Sequence, residues 1–100
     1  MRVLYAQSFA DDLDEIADYI RADNPERAVT FVEETRQVCI RTIVAHPRAG
    51  RPRPEFRSGM RSFATHGRTI LYTFDPEISV LKFYRVIGRQ HITSGDFSSD

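Results

Sequence analysis

The sequence predicts an α+β domain in which an N-terminal strand and an αα-hairpin pack on a small, largely antiparallel sheet, in the chain order β-αα-βββ. Three observations predict this fold. The chain opens with a short β-prone segment, and apolar residues then recur at helical spacing through two consecutive segments. Beyond residue 60, three segments rich in β-branched and aromatic residues are separated by turn signals. A length of 100 residues favours a single domain that spans residues 1–100.

The first strand is predicted at residues 2–6, and the first helix from about residue 9 to residue 22. Ser8 is the expected N-cap, with Asp11 three residues later in a weaker form of the capping box. Further acidic residues crowd the first turns, where the helix dipole favours negative charge. The expected buried stripe has helical spacing: Leu13, Ile16, Ala17 and Ile20.

A second, longer helix is expected after Asn24, which suits an N-cap, with Pro25 at the first helical position. Pro47 should end this helix near His46. The tight connection between the helices makes them an αα-hairpin. One face of the second helix carries the residues expected in the core: Ala28, Phe31, Val32, Thr35, Cys39, Thr42 and Ile43.

Three strands are predicted in the second half of the chain. Residues 47–59 form a loop without regular structure, and a strand then begins near residues 61–63 and ends at a turn over residues 65–67. Residues 68–74 and 78–87 form the next two strands. The last strand is apolar on both faces, so we expect it centrally in the sheet, with the helices on one side. The second helix should contact the sheet through Phe31 and Val32, packed on Leu71 and Phe83.

Charge is unevenly distributed along a chain whose formal net charge is zero. Residues 1–45 hold nine acidic residues and five arginines, whereas residues 46–100 hold five acidic and nine basic residues. Five of the arginines fall between residues 48 and 61, among prolines and glycines. The second half is therefore the candidate surface for an acidic partner.

Several classes of protein and site are disfavoured. Cys39 is the only cysteine and is expected to be an inert core residue, so no internal disulfide can form. The chain shows no signal peptide and no apolar run of ~20 residues, so we expect it in the cytoplasm and not in a membrane. His46, His66 and His91 lack partners at metal-ligand spacing, and nucleophile-elbow and phosphate-loop spacings are absent. No metal or other cofactor is therefore expected.

A set of arginines on and beside the sheet remains as the candidate for chemistry: Arg61, Arg68, Arg85 and Arg89, with His91 beyond the last strand. Arg85 is expected on an otherwise apolar face, because it shares strand parity with Leu81, Phe83 and Ile87. It should either line an open groove or form a salt bridge, for which the candidate partners are Glu55, Asp75 and Asp96. Metal-free RNA cleavage would suit this set, with Arg61 and Arg85 on the phosphate and His91 as the acid.

These segments, in this order and spacing, resemble the ParE branch of the RelE/ParE toxin superfamily, the toxins of type II toxin–antitoxin modules. The resemblance covers the chain from about Ser8 to Phe97. Its most specific parts are the loop "PRAGRPRPE", the segment "GMRSF" that leads into a strand, and the strand end "YRVI". The ending "GRQHITSGDF" is longer than many ParE endings.

The resemblance implies a toxin that a ParD-like antitoxin binds and neutralises in a hetero-oligomeric complex. ParE-like members are taken to poison DNA gyrase and so to block replication without cutting nucleic acid, and direct binding to nucleic acid is not expected. RelE-like members share the fold but cleave mRNA on the ribosome, which makes a metal-independent endoribonuclease the alternative. A third interpretation is a relative that has lost toxicity and only binds an antitoxin.

The site residues implied by the resemblance differ between the two branches. Arg61 and Arg85 match arginine positions of the RelE-type site, and His91 falls near an acid/base position of some relatives, so these three would be catalytic in an RNase. RelE-like enzymes carry extra basic groups, often lysines, and usually a tyrosine near the C-terminus, whereas Lys82 is the only lysine here and no tyrosine follows Tyr84. A gyrase-binding toxin without catalytic residues is therefore favoured. Its candidates for binding the target or the antitoxin are Arg51, Arg53, Arg57, Arg61, Arg85 and Arg89, and those in the loop are expected to be solvated in the free toxin.

Overall fold

The computed structural model describes residues 1–88 of the chain, within which a helical hairpin packs on a five-stranded sheet. The helices are α1 (Gln7–Arg21) and α2 (Pro25–Gln37), and α2 continues directly into a π-helix, Val38–Val44. The strands are β1 (Arg2–Tyr5), β2 (Arg51–Pro52), β3 (Met60–Thr65), β4 (Arg68–Asp75) and β5 (Val80–Ile87). The predicted α+β architecture is confirmed.

The sheet has the strand order β1-β5-β4-β3-β2. β1 pairs with β5 in parallel, and the other three pairings are antiparallel. β5 therefore lies inside the sheet between β1 and β4, as its two apolar faces predict. β2 is an addition to the prediction, because the loop was expected to contain no regular structure. Its two residues pair with Ser62 and Arg61 of β3 and form an edge of the sheet.

The N-terminus of α1 also differs from the prediction. The helix begins at Gln7, with Ala6 at the N-cap position and no side-chain cap. Ser8 instead donates its hydroxyl hydrogen to the carbonyl oxygen of Tyr84, at 2.6 Å. The reason is the direct passage from β1 into α1, in which the Ala6 N–H donates to the carbonyl oxygen of Phe83. The first turn is thus held by β5 and not by a capping side chain.

The N-terminus of α2 follows the prediction. The Asn24 side chain accepts a hydrogen bond from the Arg27 N–H at 3.1 Å, and Pro25 occupies the first turn. Helical backbone continues to Val44, close to the expected end at His46. Of the predicted core residues, Val32 and Thr42 are half-buried, and the others are buried: Ala28, Phe31, Thr35, Cys39 and Ile43.

Apolar clusters cover both faces of the sheet. The helix-side cluster contains Phe9, Cys39, Ile43, Ile70, Tyr72, Leu81, Phe83 and Val86. The cluster on the other face contains Ala6, Met60, Leu71, Tyr84 and Ile87, with Phe56 packed against it. Leu71 faces away from the helices, because neighbouring strand residues point to opposite faces. The predicted packing of Phe31 and Val32 on Leu71 is therefore wrong.

A β-bulge in β5 changes which residues share a face. Phe83 and Arg85 pair with consecutive residues of β4, so Tyr84 between them is an extra residue. Beyond the bulge, Val86 belongs to the helix-side cluster and Ile87 to the other cluster. The prediction that Arg85 shares one face with both Phe83 and Ile87 is wrong, because simple alternation does not survive the bulge.

The turn between β3 and β4 was predicted correctly. His66 and Gly67 have φ angles of 49° and 76°, and two consecutive positive φ values are what a two-residue type I′ hairpin turn requires. Within residues 1–88, no helix is long and apolar enough to cross a membrane.

Candidate functional site

Three cations stack on two aromatic rings on the sheet face that points away from the helices. The Arg53 guanidinium lies 4.5 Å from the centre of the Phe56 ring. Arg57 and Lys82 lie 4.8 and 4.9 Å from the centre of the Tyr84 ring. These five residues are called the basic face below. Contacts of this kind contribute roughly 0.5–1 kcal/mol each at exposed positions, so they orient the cations more than they stabilise the fold.

The loop between β2 and β3 positions the basic face. The Arg53 N–H donates to the Met60 carbonyl oxygen, the Phe56 N–H to that of Arg53, and the Met60 N–H to that of Arg57. Phe56 packs against the apolar cluster underneath. Arg57 is exposed, as predicted, whereas the Arg53 side chain is only 25% exposed, so the expectation that the loop arginines are solvated is wrong for Arg53.

One acidic residue balances part of this charge. Arg53 Nε lies 3.0 Å from Glu55 Oε2. A hydrogen bond from the Glu55 backbone, followed by that from Arg53, holds the pKa of the Glu55 carboxyl below its usual range. Glu55 stays ionised and neutralises Arg53. The net positive charge of the basic face therefore comes from Arg57 and Lys82.

Arg61 is used inside the fold. Its Nη1 donates to the carbonyl oxygens of Gly50 and Arg48, at 2.7 and 3.3 Å. The same turn is held from below by buried Tyr72, whose hydroxyl donates to the Pro47 carbonyl and accepts from the Gly50 N–H, both at 2.8 Å. Together the two side chains fix the chain where it leaves the helical hairpin for β2.

Arg85 is also bound within the fold. Its Nε and Nη2 donate to the two carboxylate oxygens of Asp12 in α1, at 2.7 and 3.1 Å. Asp12 Oδ2 also accepts the backbone N–H of Val86, at 2.9 Å. The side chains of Arg85 and Asp12 are only 23% and 13% exposed. The predicted salt bridge exists, but Asp12 is its partner and not Glu55 or Asp75; Asp96 lies outside the described residues.

The remaining predicted site residues are distributed over different places. Arg51 is exposed on the edge strand β2. Arg89 and His91 lie outside the described residues. The structure therefore brings Arg53 and Arg57 together with Lys82, and it gives Arg61 and Arg85 separate intramolecular partners.

A second surface lies beside β1, which is the outermost strand on its side of the sheet within residues 1–88. It is an apolar groove of about 300 Å³ between α1 and the π-helix, lined by Tyr5, Phe9, Ala10, Leu13, Arg36, Cys39 and Ile40. Tyr5 and Ile40 are each 50% exposed, although both are large apolar residues. The Tyr5 ring also stacks on Phe83 at 5.2 Å, which fixes the floor of the groove. An exposed apolar concavity with one cationic wall, at Arg36, suits an amphipathic segment of a partner.

Sequence reasoning did not find the roles of Tyr72 and Asp12, and it anticipated a groove for an antitoxin helix without placing it. Tyr72 carries a weak signal, since a tyrosine in a buried strand needs a partner for its hydroxyl. In the sequence, Asp12 looks like the other acidic residues near the predicted start of the first helix. The groove depends on how α1 meets the π-helix, which no local pattern specifies.

No three metal-ligating side chains of His, Cys, Asp or Glu lie together among residues 1–88. The basic face and the groove are both open surfaces suited to binding. Stacked cations can recognise acidic groups, and an apolar groove can hold a helix or an extended peptide.

Comparison with known proteins gives a family. The family model described as "ParE toxin of type II toxin-antitoxin system, parDE" matches residues 3–92. Among solved structures, the chain is similar to one from the "Chromosomal ParDE TA system from P. aeruginosa", with a TM-score of 0.70 and 23% sequence identity. That match covers 90% of this chain and 97% of the other, and at this identity it shows the fold. No curated protein matches the chain.

Proposed function

Because this chain belongs to the family of ParE toxins of type II toxin–antitoxin systems, we propose that it blocks DNA gyrase by binding to it and that a ParD-like antitoxin neutralises it. In this proposal the toxin performs no chemistry. Inhibition of gyrase stops replication, and the cell survives only while the antitoxin occupies the toxin. Both partners would be met in the cytoplasm.

The engagement of Arg61 and Arg85 supports binding over RNA cleavage. In an RNase of this fold, both guanidinium groups would have to be aimed at the scissile phosphate. Here Arg61 is hydrogen-bonded to backbone carbonyls, and Arg85 forms a two-point pair with Asp12. To act on a phosphate, each arginine would have to give up contacts that hold the fold. The intramolecular hydrogen bonds of Arg61 and Arg85 are therefore the main structural support for a toxin that acts by binding.

The apolar groove beside β1 is the proposed place of the antitoxin. An amphipathic antitoxin segment would bury its apolar side against Tyr5 and Ile40 and place an acidic residue near Arg36. Among residues 1–88, β1 is the last strand on its side of the sheet, and no described strand pairs with its outer edge, so we expect that edge to accept an added strand. A stable complex of this kind should bury well over ~1,200 Å² in total.

Ile40→Asp tests the groove, because it puts a charge on an apolar wall that is already half exposed. We expect the variant to fold normally and to bind the antitoxin at least ~10-fold more weakly, a loss of about 1.4 kcal/mol. Val29→Asp is the matched control, since Val29 is 69% exposed on α2 and does not line the groove. Equal affinities of the two variants, measured by isothermal titration calorimetry, would argue against this docking place.

The basic face is the proposed gyrase-contacting surface. It combines exposed positive charge with aromatic rings, and aromatic and arginine residues dominate binding energy at protein interfaces. Arg57 is its most accessible cation, and its contact with Tyr84 keeps it in one place. A rigid, oriented cation loses less conformational freedom on binding than a mobile one.

Arg57→Glu tests the basic face. We expect this charge reversal to weaken inhibition of gyrase by about 10-fold or more, with the fold and antitoxin binding retained. Arg41→Glu is the control, because Arg41 is an exposed arginine of the π-helix outside both surfaces. If Arg57→Glu and Arg41→Glu inhibit gyrase equally well, the basic face does not contact the target.

A further inference from the structure

A separate cavity of about 410 Å³ opens between α1 and the C-terminal end of β5. Its polar walls are Asp12 and Glu15 from α1, Arg68 from β4 and Arg85 from β5. Tyr19, which is 78% exposed, stands at its rim. Neither the proposed antitoxin groove nor the basic face shares a residue with this cavity.

Among the described arginines of the predicted set, Arg61 and Arg85 have close hydrogen-bond acceptors, whereas Arg68 forms no ion pair within residues 1–88. Its Nε is removed from solvent and has no hydrogen-bond partner within the described part of the chain. The guanidinium is held by the Phe31 ring, 5.8 Å away, and Nη1 reaches the Gly67 carbonyl only at 3.5 Å. A buried donor without an acceptor costs free energy, which a ligand oxygen would recover.

The charges around the cavity define what it can hold. Arg85 is balanced by Asp12 through two hydrogen bonds. Glu15 lines the cavity but makes no ion pair with Arg68 in the region described, residues 1–88. Arg68 and Glu15 are therefore both without an ion-pair partner among residues 1–88, and the two guanidinium groups and two carboxylates of the cavity balance in charge. A singly charged ligand fits this arrangement, whereas a phosphate dianion would be repelled by Asp12 and Glu15.

We propose that this cavity binds a carboxylate, of the kind carried by an aspartate or glutamate side chain of a bound polypeptide. For the two carboxylate oxygens to accept from the Nε–H and one Nη–H of Arg68, the guanidinium turns from the Phe31 ring toward the cavity, because its Nε is removed from solvent in this position. Glu15 opposes the ligand across the cavity and limits its affinity. The site stands on the geometry of Arg68 and does not depend on which target the toxin inhibits.

A titration of the full-length ¹⁵N-labelled chain tests the proposal. The probe is N-acetyl-L-glutamic acid α-amide, and its neutral match is N-acetyl-L-glutamine amide, both at constant ionic strength. We expect a saturable shift of the Arg68 Nε–H and Gly88 amide signals with the acid and none with the neutral amide. A response to both probes, or to neither, overturns the site. Inorganic phosphate that binds more tightly than the acid overturns the assignment to a carboxylate.

Three variants assign the binding to Arg68. Arg68→Gln should weaken binding of the acid at least tenfold, while Arg41→Gln, an exposed arginine elsewhere, should leave it unchanged. Glu15→Gln should tighten binding at least twofold, because it removes the opposing charge. If Arg68→Gln does not fold, the affinity of Glu15→Gln for the acid is by itself the test of the site. Unaltered affinity in Glu15→Gln, or equal losses in the Arg68 and Arg41 variants, would overturn the proposal.

Discussion

Tyr72 and Gly50 fit together at the point where the chain leaves the helical hairpin. The Tyr72 side chain is fully buried, and its hydroxyl joins the Pro47 carbonyl to the Gly50 N–H. A Cβ atom on Gly50 would lie only 2.6 Å from the Tyr72 hydroxyl oxygen and 2.8 Å from Cε1. Position 50 therefore has no room for a side chain. The close approach of the Tyr72 ring to the backbone is the reason for glycine here.

Gly50→Ala should destabilise the protein by about 1–3 kcal/mol, because the methyl group can be accommodated only by moving a buried ring. Thermal unfolding measures the loss, at roughly 4–8 °C per kcal/mol for a domain of this size. Ala49→Ser, at the exposed neighbouring position, is the control and should melt like the wild type. A Gly50→Ala protein that melts like the wild type would mean that Tyr72 does not pack here.

The titration of Cys39 gives a second prediction. Burial raises the pKa of the Cys39 thiol to about 12, and burial also raises the pKa of Tyr72 above its usual value. Groups with a raised folded-state pKa stabilise the protein fully below their unfolded pKa, which is about 9 for the thiol, and the contribution is lost as pH rises through the folded value. Stability should therefore be level near neutral pH and fall above about pH 9.

Urea unfolding between pH 7 and pH 11 checks this behaviour. Above pH 9 the thiol should contribute a slope of about 1.4 kcal/mol per pH unit, since the unfolded chain alone releases its proton. Cys39→Ala has a lower stability throughout but should lose this part of the slope. An identical slope in the variant and the wild type would show that the thiol is accessible in the folded state.

The pair of Asp12 and Arg85 joins α1 to the bulge of β5. The bulge lets Asp12 bind both the Arg85 side chain and the Val86 N–H, so one carboxylate fixes the helix against the strand. Because Arg85 retains 23% exposure, breaking the pair should cost less than breaking a fully buried one, about 2–3 kcal/mol.

A double-mutant cycle with Asp12→Ala and Arg85→Ala measures this coupling. Each single variant should lose similar stability, and the double variant should lose clearly less than the sum. Toxicity should fall with stability in both single variants, because the role of Arg85 is to hold the fold. A variant Arg85→Ala that loses all toxicity, beside an Asp12→Ala that keeps it at equal stability, would assign Arg85 a direct role instead.

Local signals predicted some elements well and failed at others for identifiable reasons. The N-terminus of α2 was predictable because Asn24, Pro25 and the capped Arg27 N–H are neighbours in sequence. The start of α1 was not, since Ala6 is held by β5, which is 77 residues away in the chain at Phe83. The bulge at Tyr84 leaves no mark in the apolar pattern, and it misled the assignment of the face of Arg85.

The sequence predicted that the chain carries a basic surface, but it did not predict which residues form that surface or where it lies. Three of the nine basic residues in the second half of the chain lie on the basic face, on the side of the sheet away from the helices. Which arginines stay available depends on long-range partners, such as Asp12 for Arg85 and the Gly50 carbonyl for Arg61. A sequence pattern cannot show these contacts, because the partners are brought together only by the finished fold.

The groove and the basic face share no residue, which predicts that neutralisation and toxicity can be separated. Ile40→Asp should remain toxic but escape the antitoxin when both are expressed together. Arg57→Glu should lose toxicity but still bind the antitoxin. Growth assays with and without antitoxin read out both properties, and variants that lose both together would point to one shared surface.

The most direct test of a binding toxin is the supercoiling of relaxed plasmid by purified gyrase, titrated with purified toxin. We predict inhibition at toxin concentrations comparable to those of gyrase, relieved by antitoxin, and kept in His91→Ala because no proton transfer is involved. Undiminished supercoiling at a large excess of folded toxin, together with His91-dependent cleavage of ribosome-bound mRNA by the same preparation, would contradict the proposed function.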